Sequence, residues 1–259
     1  MSASKPATLE ERLAVAIARL LRNPSAPPVR HAAIGAASAI PAAACSLAKM
    51  LSEPIRISFL QRPRANPFTD GTRELFDLAG QGRIDLFFLG GGQIDGQANI
   101  NLIGTGDWPG RLVRFPGSFG SAFMYFMVPR TILFRVEHTP RVFVPKVDIV
   151  SAPGLSPPNV FRRGTAEALV TGRSVFRFDQ ARGRFMLASV HPGESRDSIR
   201  AATGFDYDEP QNLPQTADPT DAELTLLRGP VADEMVEAYP EFCRRVWGRG
   251  ASTQPEKAA

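Results

Sequence analysis

The chain of 259 residues is 43% hydrophobic and 22% charged, with a formal net charge of +4; this is enough apolar material to bury a sizeable core in one α/β unit. Its 30 Lys and Arg residues are scattered rather than gathered in one stripe, which argues against nucleic acid, while a mild positive field suits a polyanionic small ligand. Apolar runs such as Leu86–Leu89 and Ala122–Val128 fall short of the roughly 20 residues that cross a bilayer, and residues 1–9 hold a lysine and a proline but no apolar signal core, so a cytoplasmic protein with no membrane partner is expected.

In chain order, Thr8 with Glu11 forms a capping-box pattern ahead of Leu13, Val15, Ile17, Leu20 and Leu21, which predicts an amphipathic helix over residues 9–22. The cluster Asn23-Pro-Ser-Ala-Pro-Pro28 ends it. Residues 29–35 read as a strand, and a small-residue helix follows to about Leu51, with Pro41 in its first turn, where a missing N–H costs nothing. Alternation over 55–60 predicts a strand, residues 61–67 a loop, and residues 72–80 a helix. The unbroken apolar run 84–89 predicts a strand buried on both faces at the centre of a mainly parallel sheet. Further on, a short strand is expected over 99–103, a helix over 118–128, and strands over 131–136, 141–150, 169–178 and 184–190. Helices over 194–203, 221–228 and 231–247 close a single domain of residues 1–247, followed by a polar tail, 248–259, read as disordered. Cys45 and Cys243 have neither metal-ligand nor disulfide spacing and are expected as buried thiols. His31, His138 and His191 lack ligand-spaced partners, so no metal is expected.

The most informative stretch follows the central apolar run. Gly90-Gly-Gly-Gln-Ile-Asp-Gly-Gln-Ala-Asn-Ile-Asn101 places glycines, amides and one carboxylate where an open α/β sheet receives its ligands, and Arg111-Leu-Val-Arg-Phe-Pro-Gly-Ser-Phe-Gly-Ser121 supplies a second glycine turn. Gln93 and Asp95 read either as substrate-orienting groups or as Asx-type ties on the turn; Asn99 and Asn101 read as local ties first. Arg62 and Arg64 read as anion ligands or as a solvated loop. In the stripe Phe119, Phe123, Tyr125, Phe126 and Met127, the first two are assigned to an acyl pocket, and Phe126 and Met127 to the core. No Walker loop, dinucleotide fingerprint or Gly-x-Ser-x-Gly elbow is present.

These two segments resemble the beta-type half of family I CoA-transferases, of the glutaconate CoA-transferase type. So do Ala39-Ile-Pro41 with Leu47-Ala48, Arg141-Val-Phe-Val-Pro-Lys-Val-Asp148, Val190-His-Pro-Gly-Glu194, Thr203-Gly-Phe205 and Pro219-Thr-Asp-Ala-Glu-Leu224. The resemblance implies an open, mainly parallel sheet flanked by helices, the CoA-transferase (NagB/RpiA-like) fold. It also implies pairing with an alpha-type subunit to form an acyl-CoA site at the interface, with coenzyme A entering as part of the substrate and no permanent cofactor. In that family a glutamate of the beta-type half attacks the thioester, while amides of a glycine-rich turn hold the oxyanion.

The carry-over assigns Gly117, Ser118, Phe119 and Gly120 as backbone donors, with a helix starting near Ser118 directing its free N–H groups at negative charge. Phe119 stands where the family commonly has glycine. Gln93, Asp95 and Asn99 are the substrate-orienting candidates, and Arg62, Arg64 and Phe123 the CoA or acyl contacts. The family glutamate falls on Gln61, whose neutral amide cannot form an acyl anhydride. Glu53 precedes the strand and lies about 20 Å away at about 3.3 Å per residue. This departure resembles beta-type members of the steroid-ring-cleaving acyl-CoA hydrolases, in which the catalytic glutamate belongs to the alpha-type partner. CoA transfer is therefore the leading expectation, hydrolytic C–C ring opening of a cyclic acyl-CoA the alternative, and a catalytically inert scaffold role the third.

Overall fold

The computed structural model describes residues 5–62, 64, 67–107, 110 and 113–250. The elements in chain order are α1 (Leu9–Leu21), β1 (His31–Ile34), α2 (Ala39–Met50), β2 (Arg56–Phe59), α3 (Gly71–Gly80), β3 (Leu86–Leu89), β4 (Gln93–Ile94), β5 (Ile100–Asn101), β6 (Gly104–Thr105), β7 (Val113–Arg114), α4 (Ser121–Met127), β8 (Arg130–Arg135), β9 (Thr165–Thr171), β10 (Ser174–Asp179), β11 (Arg184–Val190), α5 (Arg196–Ala202), α6 (Asp221–Leu226), α7 (Ala232–Met235) and α8 (Pro240–Trp247). Contacts divide them into two compact units. The first gathers the chain up to Pro28, Ile34–Pro67 and the chain from Pro219 on; the second gathers Val29–Ala33 and Phe68–Asp218.

The main sheet has the order β11-β10-β9-β8-β3-β1-β2. Pairing is parallel from β1 through β3 and β8 to β9, then antiparallel through β10 and β11. β3 lies in the middle of the parallel part and all four of its residues are buried, which is why its sequence is a continuous apolar run. β2 forms the far edge, where the Leu60 N–H donates to Ile34 O at 3.0 Å. Helices flank the sheet, so the fold is the open, mainly parallel α/β arrangement.

In the first unit the capping box is present in both directions: Glu11 N–H donates to Thr8 Oγ1 at 3.2 Å and Thr8 N–H to Glu11 Oε2 at 2.9 Å. Glu11 is only 1% exposed, a cost met by Arg228, whose Nε and Nη2 donate to its two oxygens at 2.7 and 2.9 Å, and by the Trp247 indole at 3.2 Å. Cys45 and Cys243 are buried free thiols. The helix expected over 231–247 is two helices, because Pro240 has no N–H to donate and starts α8 at its first position. Between α6 and α7 the chain widens into a π turn, where Gly229, followed by Pro230, leaves helical geometry (φ −110°, ψ −107°).

In the second unit three expectations are corrected. Residues 141–150 are not a strand: the segment makes one isolated bridge, Ile94 to Phe143, since Pro140 and Pro145 interrupt the donors a ladder needs. The run 169–178 is two strands, because the chain turns at Gly172 and the Thr171 hydroxyl accepts the Arg173 and Ser174 amides at 3.1 and 3.0 Å. The helix expected from Ser118 begins at Ser121, because Gly120 sits in the left-handed region (φ 66°). Among the described residues no helix is long and apolar enough to cross a membrane. Of the expected C-terminal tail, residues 251–259 lie outside the described residues.

Candidate functional site

Immediately beyond β3, the glycines lead into the hairpin β4–β5, paired Gln93 to Asn101 and Ile94 to Ile100. Gly91 and Gly92 are required by packing. A Cβ on Gly91 would stand 2.8 Å from Gln93 O, and one on Gly92 would enter the Phe115 ring at 2.2 Å. Inside the hairpin Asp95, 4% exposed, is the organising acceptor. Its Oδ1 accepts the Gln97 and Asn99 amides at 3.0 and 3.1 Å, and its Oδ2 accepts Asn99 Nδ2 at 3.1 Å and the Val147 amide at 3.4 Å. Gln93 Oε1 accepts Asn101 Nδ2 at 2.7 Å and the Asp148 amide at 3.0 Å. Asn99 Oδ1 accepts the Gly154 amide at 3.0 Å. The amides and the carboxylate thus tie the turn to 147–154, and Ala98, at φ 60°, is held from the other side by the Tyr125 hydroxyl at 3.1 Å.

Burial drives the Tyr125 phenol well above its ordinary pKa, so it acts as a neutral donor. The Arg162 guanidinium lies 4.8 Å from the Tyr125 ring centroid and donates to its carbonyl at 3.2 Å. Beside the turn, a cleft of about 580 Å³ is lined by Asp95, Gly96, Asn99, Lys146, Arg182 and Arg184, among others. No local pattern announces this basic lining, because Lys146 and the arginines come from segments far apart in sequence.

The second glycine turn, Gly117–Gly120, has positive φ at both ends, 115° and 66°. Ser121 N–H and Oγ both donate to Ser118 O, at 3.0 and 2.8 Å, closing the turn, and Met124 N–H donates to Gly120 O at 3.0 Å. Phe119 projects from it with 77% of its surface exposed. Its nearest aromatic neighbour is Phe76 of α3, 5.6 Å away between centroids, and Phe76 meets Phe123 at 5.8 Å edge to face. The Phe76 ring also occupies the place of a Gly120 side chain, 2.3 Å from an ideal Cβ. Phe76 is a part of this region that the sequence did not reveal, since its link to Gly120 crosses 44 positions. The core side of α4 is made by Met124 and Tyr125; Phe126 and Met127 are only half-buried, which corrects their expected assignment.

In the first unit, Gln61 is exposed in the turn after β2. Arg62 is already engaged: its Nη2 donates to Glu234 O at 2.7 Å, its Nε stands 3.6 Å from Glu237 Oε2, and its guanidinium lies 4.7 Å from the Phe59 ring centroid. Arg64 donates its backbone amide to Glu237 Oε1 at 2.8 Å and keeps an exposed side chain. Glu234 in turn binds Lys49 at 2.7 Å. The Glu237 carboxylate beside Arg62 and Arg64, and the Glu234 carbonyl on Arg62, are partners that no reading of the local sequence could have placed there.

Comparison with known proteins decides the family. The model of the coenzyme A transferase family matches residues 54–202, more than half of the chain. The chain is a beta-type member of that family. It is 27% identical over 244 residues to the beta-type half of the 3-oxoadipate CoA-transferase of Pseudomonas knackmussii, covering 84% of this chain and 91% of that one. It is 32% identical over 160 residues to the IpdB component of the cholesterol ring-cleaving hydrolase of Rhodococcus jostii, covering 60% and 62%. The crystal structure of Rhodococcus jostii IpdAB superposes with a TM-score of 0.74 at 27% identity, over 87% of this chain and 94% of that one.

Proposed function

We propose that this chain is one half of a heteromeric CoA-transferase whose acyl-CoA site forms where it meets an alpha-type subunit. Its part is to hold the thioester oxygen and leave the attack on carbon to the partner. The observation that carries this reading is the Gly117–Gly120 turn. Two left-handed glycines bare its backbone, and among the described residues no acceptor binds the Phe119 or Gly120 amide. As a carboxylate attacks the thioester carbon, the C=O electron pair moves onto oxygen. Amides already aimed at that oxygen lower the barrier by about 3 kcal/mol each, and collapse of the intermediate expels the CoA thiolate.

The attacking carboxylate is assigned to the alpha-type partner. Gln61 is a neutral amide, and the Glu237 carboxylate is held by the Arg64 amide and lies close to Arg62. Gln93 offers its Nε2, bound by no acceptor among the described residues, to orient substrate, while Asp95 and Asn99 keep the hairpin in place. In the first unit, Arg64 offers an exposed side chain to an anionic group and Arg62 is anchored on Glu234 O; in the second, Phe123 borders the acyl group. CoA is substrate throughout, and the site needs no permanent cofactor. Residues 1–247 act as one catalytic half, in the cytoplasm.

The chain co-expressed with an alpha-type subunit should move CoA from an acyl-CoA to isotopically labelled acetate with ping-pong kinetics, and neither polypeptide should do so on its own. Turnover by this chain in isolation overturns the proposal. Gln61 favours one further reading, in which a partner glutamate acts as general base for hydrolytic C–C ring opening of a cyclic acyl-CoA; one relative is named as a ring-cleaving hydrolase. Water labelled with ¹⁸O separates the two readings, because only ring opening places the label in a new carboxylate.

A further inference from the structure

We infer that Phe76, Phe119 and Phe123 form the wall that receives the acyl group, and that the substrates of this enzyme have acyl groups apolar at the end remote from the thioester. The inference rests on the proposed placement of the thioester oxygen at Gly117–Gly120. Phe119 lies inside that turn, between its two left-handed glycines, so any acyl chain whose carbonyl is bound there leaves past its ring. Phe123 lies in the first turn of α4, and its ring and that of Phe119 both stand on Phe76, at 5.8 and 5.6 Å. The three rings therefore make one continuous surface that begins at the donors.

Phe119, 77% exposed, and Phe123, 42% exposed, form with Phe76 one small contiguous apolar patch beside backbone donors, the kind of surface that an apolar ligand group covers. Phe119 and Phe123 together offer roughly 400 Å² even if fully uncovered, about half of what each protein buries in a standard interface. That is the scale of a small molecule. A free carboxylate at the far end of the acyl group would lose its hydration against these rings without an ion pair from any of the three. The wall thus discriminates against dicarboxylic acyl groups.

The experiment titrates the complex of this chain and an alpha-type subunit with two unreactive thioethers, S-octyl-CoA and S-(3-carboxypropyl)-CoA. S-octyl-CoA should bind more tightly. Phe119→Ala and Phe123→Ala should each weaken it about tenfold, the value of burying one aromatic surface, and weaken the carboxypropyl analogue less than about threefold. Phe119→Leu and Phe123→Leu should restore part of the loss, which an unfolded variant would not. Equal losses for both analogues, or tighter binding of the carboxypropyl analogue, overturn the inference while leaving the site in place. Dissociation of the complex on gel filtration of Phe119→Ala would make the face a contact with the partner and overturn it too. If neither analogue binds the unaltered complex, the proposed site itself fails, and the inference with it.

Discussion

Replacing Asp95 by asparagine tests whether the hairpin beyond β3 is held by this carboxylate or whether the carboxylate is reserved for substrate. Asp95 accepts four hydrogen bonds, three of them from backbone amides, at 4% exposure. Asparagine keeps one oxygen for the Gln97 and Asn99 amides but turns an NH₂ toward Asn99 Nδ2 and the Val147 amide, setting donor against donor. Asn99 cannot rotate its amide to compensate, because its own oxygen already takes the Gly154 amide at 3.0 Å. Bonds to a charged acceptor are worth about 1.5–3 kcal/mol each and a stranded buried donor costs about 1–3 kcal/mol, so Asp95→Asn should lose about 2–4 kcal/mol and Asp95→Ala about 4 kcal/mol. Urea unfolding followed by circular dichroism measures this directly, with the midpoint falling and the slope unchanged. If Asp95→Asn matches the unaltered protein in stability while turnover by the complex disappears, the reasoning is refuted, and Asp95 belongs to the substrate.

Gly120→Ala places a methyl group on the Phe76 ring at a left-handed φ, and should cost about 1–3 kcal/mol; adding Phe76→Ala should recover part of that loss, a non-additivity visible in the same unfolding assay. Burial first, and then the neighbouring Arg173, hold the His138 pKa down at about 4. Because the folded value lies below the unfolded one, stability is complete above the unfolded value of about 6.5 and falls by up to about 3 kcal/mol as pH drops toward 4; His138→Gln should flatten that part of the stability–pH curve. Burial raises the Glu11 pKa less than Arg228, the Thr8 amide and Trp247 lower it, so its net shift is downward. The advantage of the native protein over Glu11→Gln should therefore be largest near neutrality and shrink as pH falls through the carboxylate range, as thermal unfolding at several pH values would show.

The features legible in the sequence were those whose cause is local. The capping box of α1, the doubly buried run of β3 and the first-turn proline of α2 each declare themselves within a few residues. Glycine turns at 90–92 and 117–120 were equally readable, because a missing side chain is a local fact. What the sequence concealed is long-range. The split at Gly172 is also fixed from a distant strand end, because the Gly172 amide donates to Val136 O at 2.9 Å and leaves no room there for a side chain, although the flanking residues are apolar enough for one continuous strand. The Arg141–Asp148 motif reads as a strand by composition, yet it serves as a strap whose amides satisfy Gln93 and Asp95. Phe76 against Gly120, and Glu237 against Arg64, are meetings between residues that no local periodicity connects.

The central claim is that acyl-CoA chemistry takes place at a seam with another polypeptide, to which this chain contributes donors and an apolar wall but no nucleophile. The most direct measurement is to incubate the complex of the two polypeptides with an acyl-CoA, trap any enzyme-bound thioester with borohydride or hydroxylamine, and locate the modified residue by peptide mass spectrometry. The account predicts a modified glutamate on the alpha-type partner and none on this chain. A modified side chain at Gln61, Glu234 or Glu237 would contradict it.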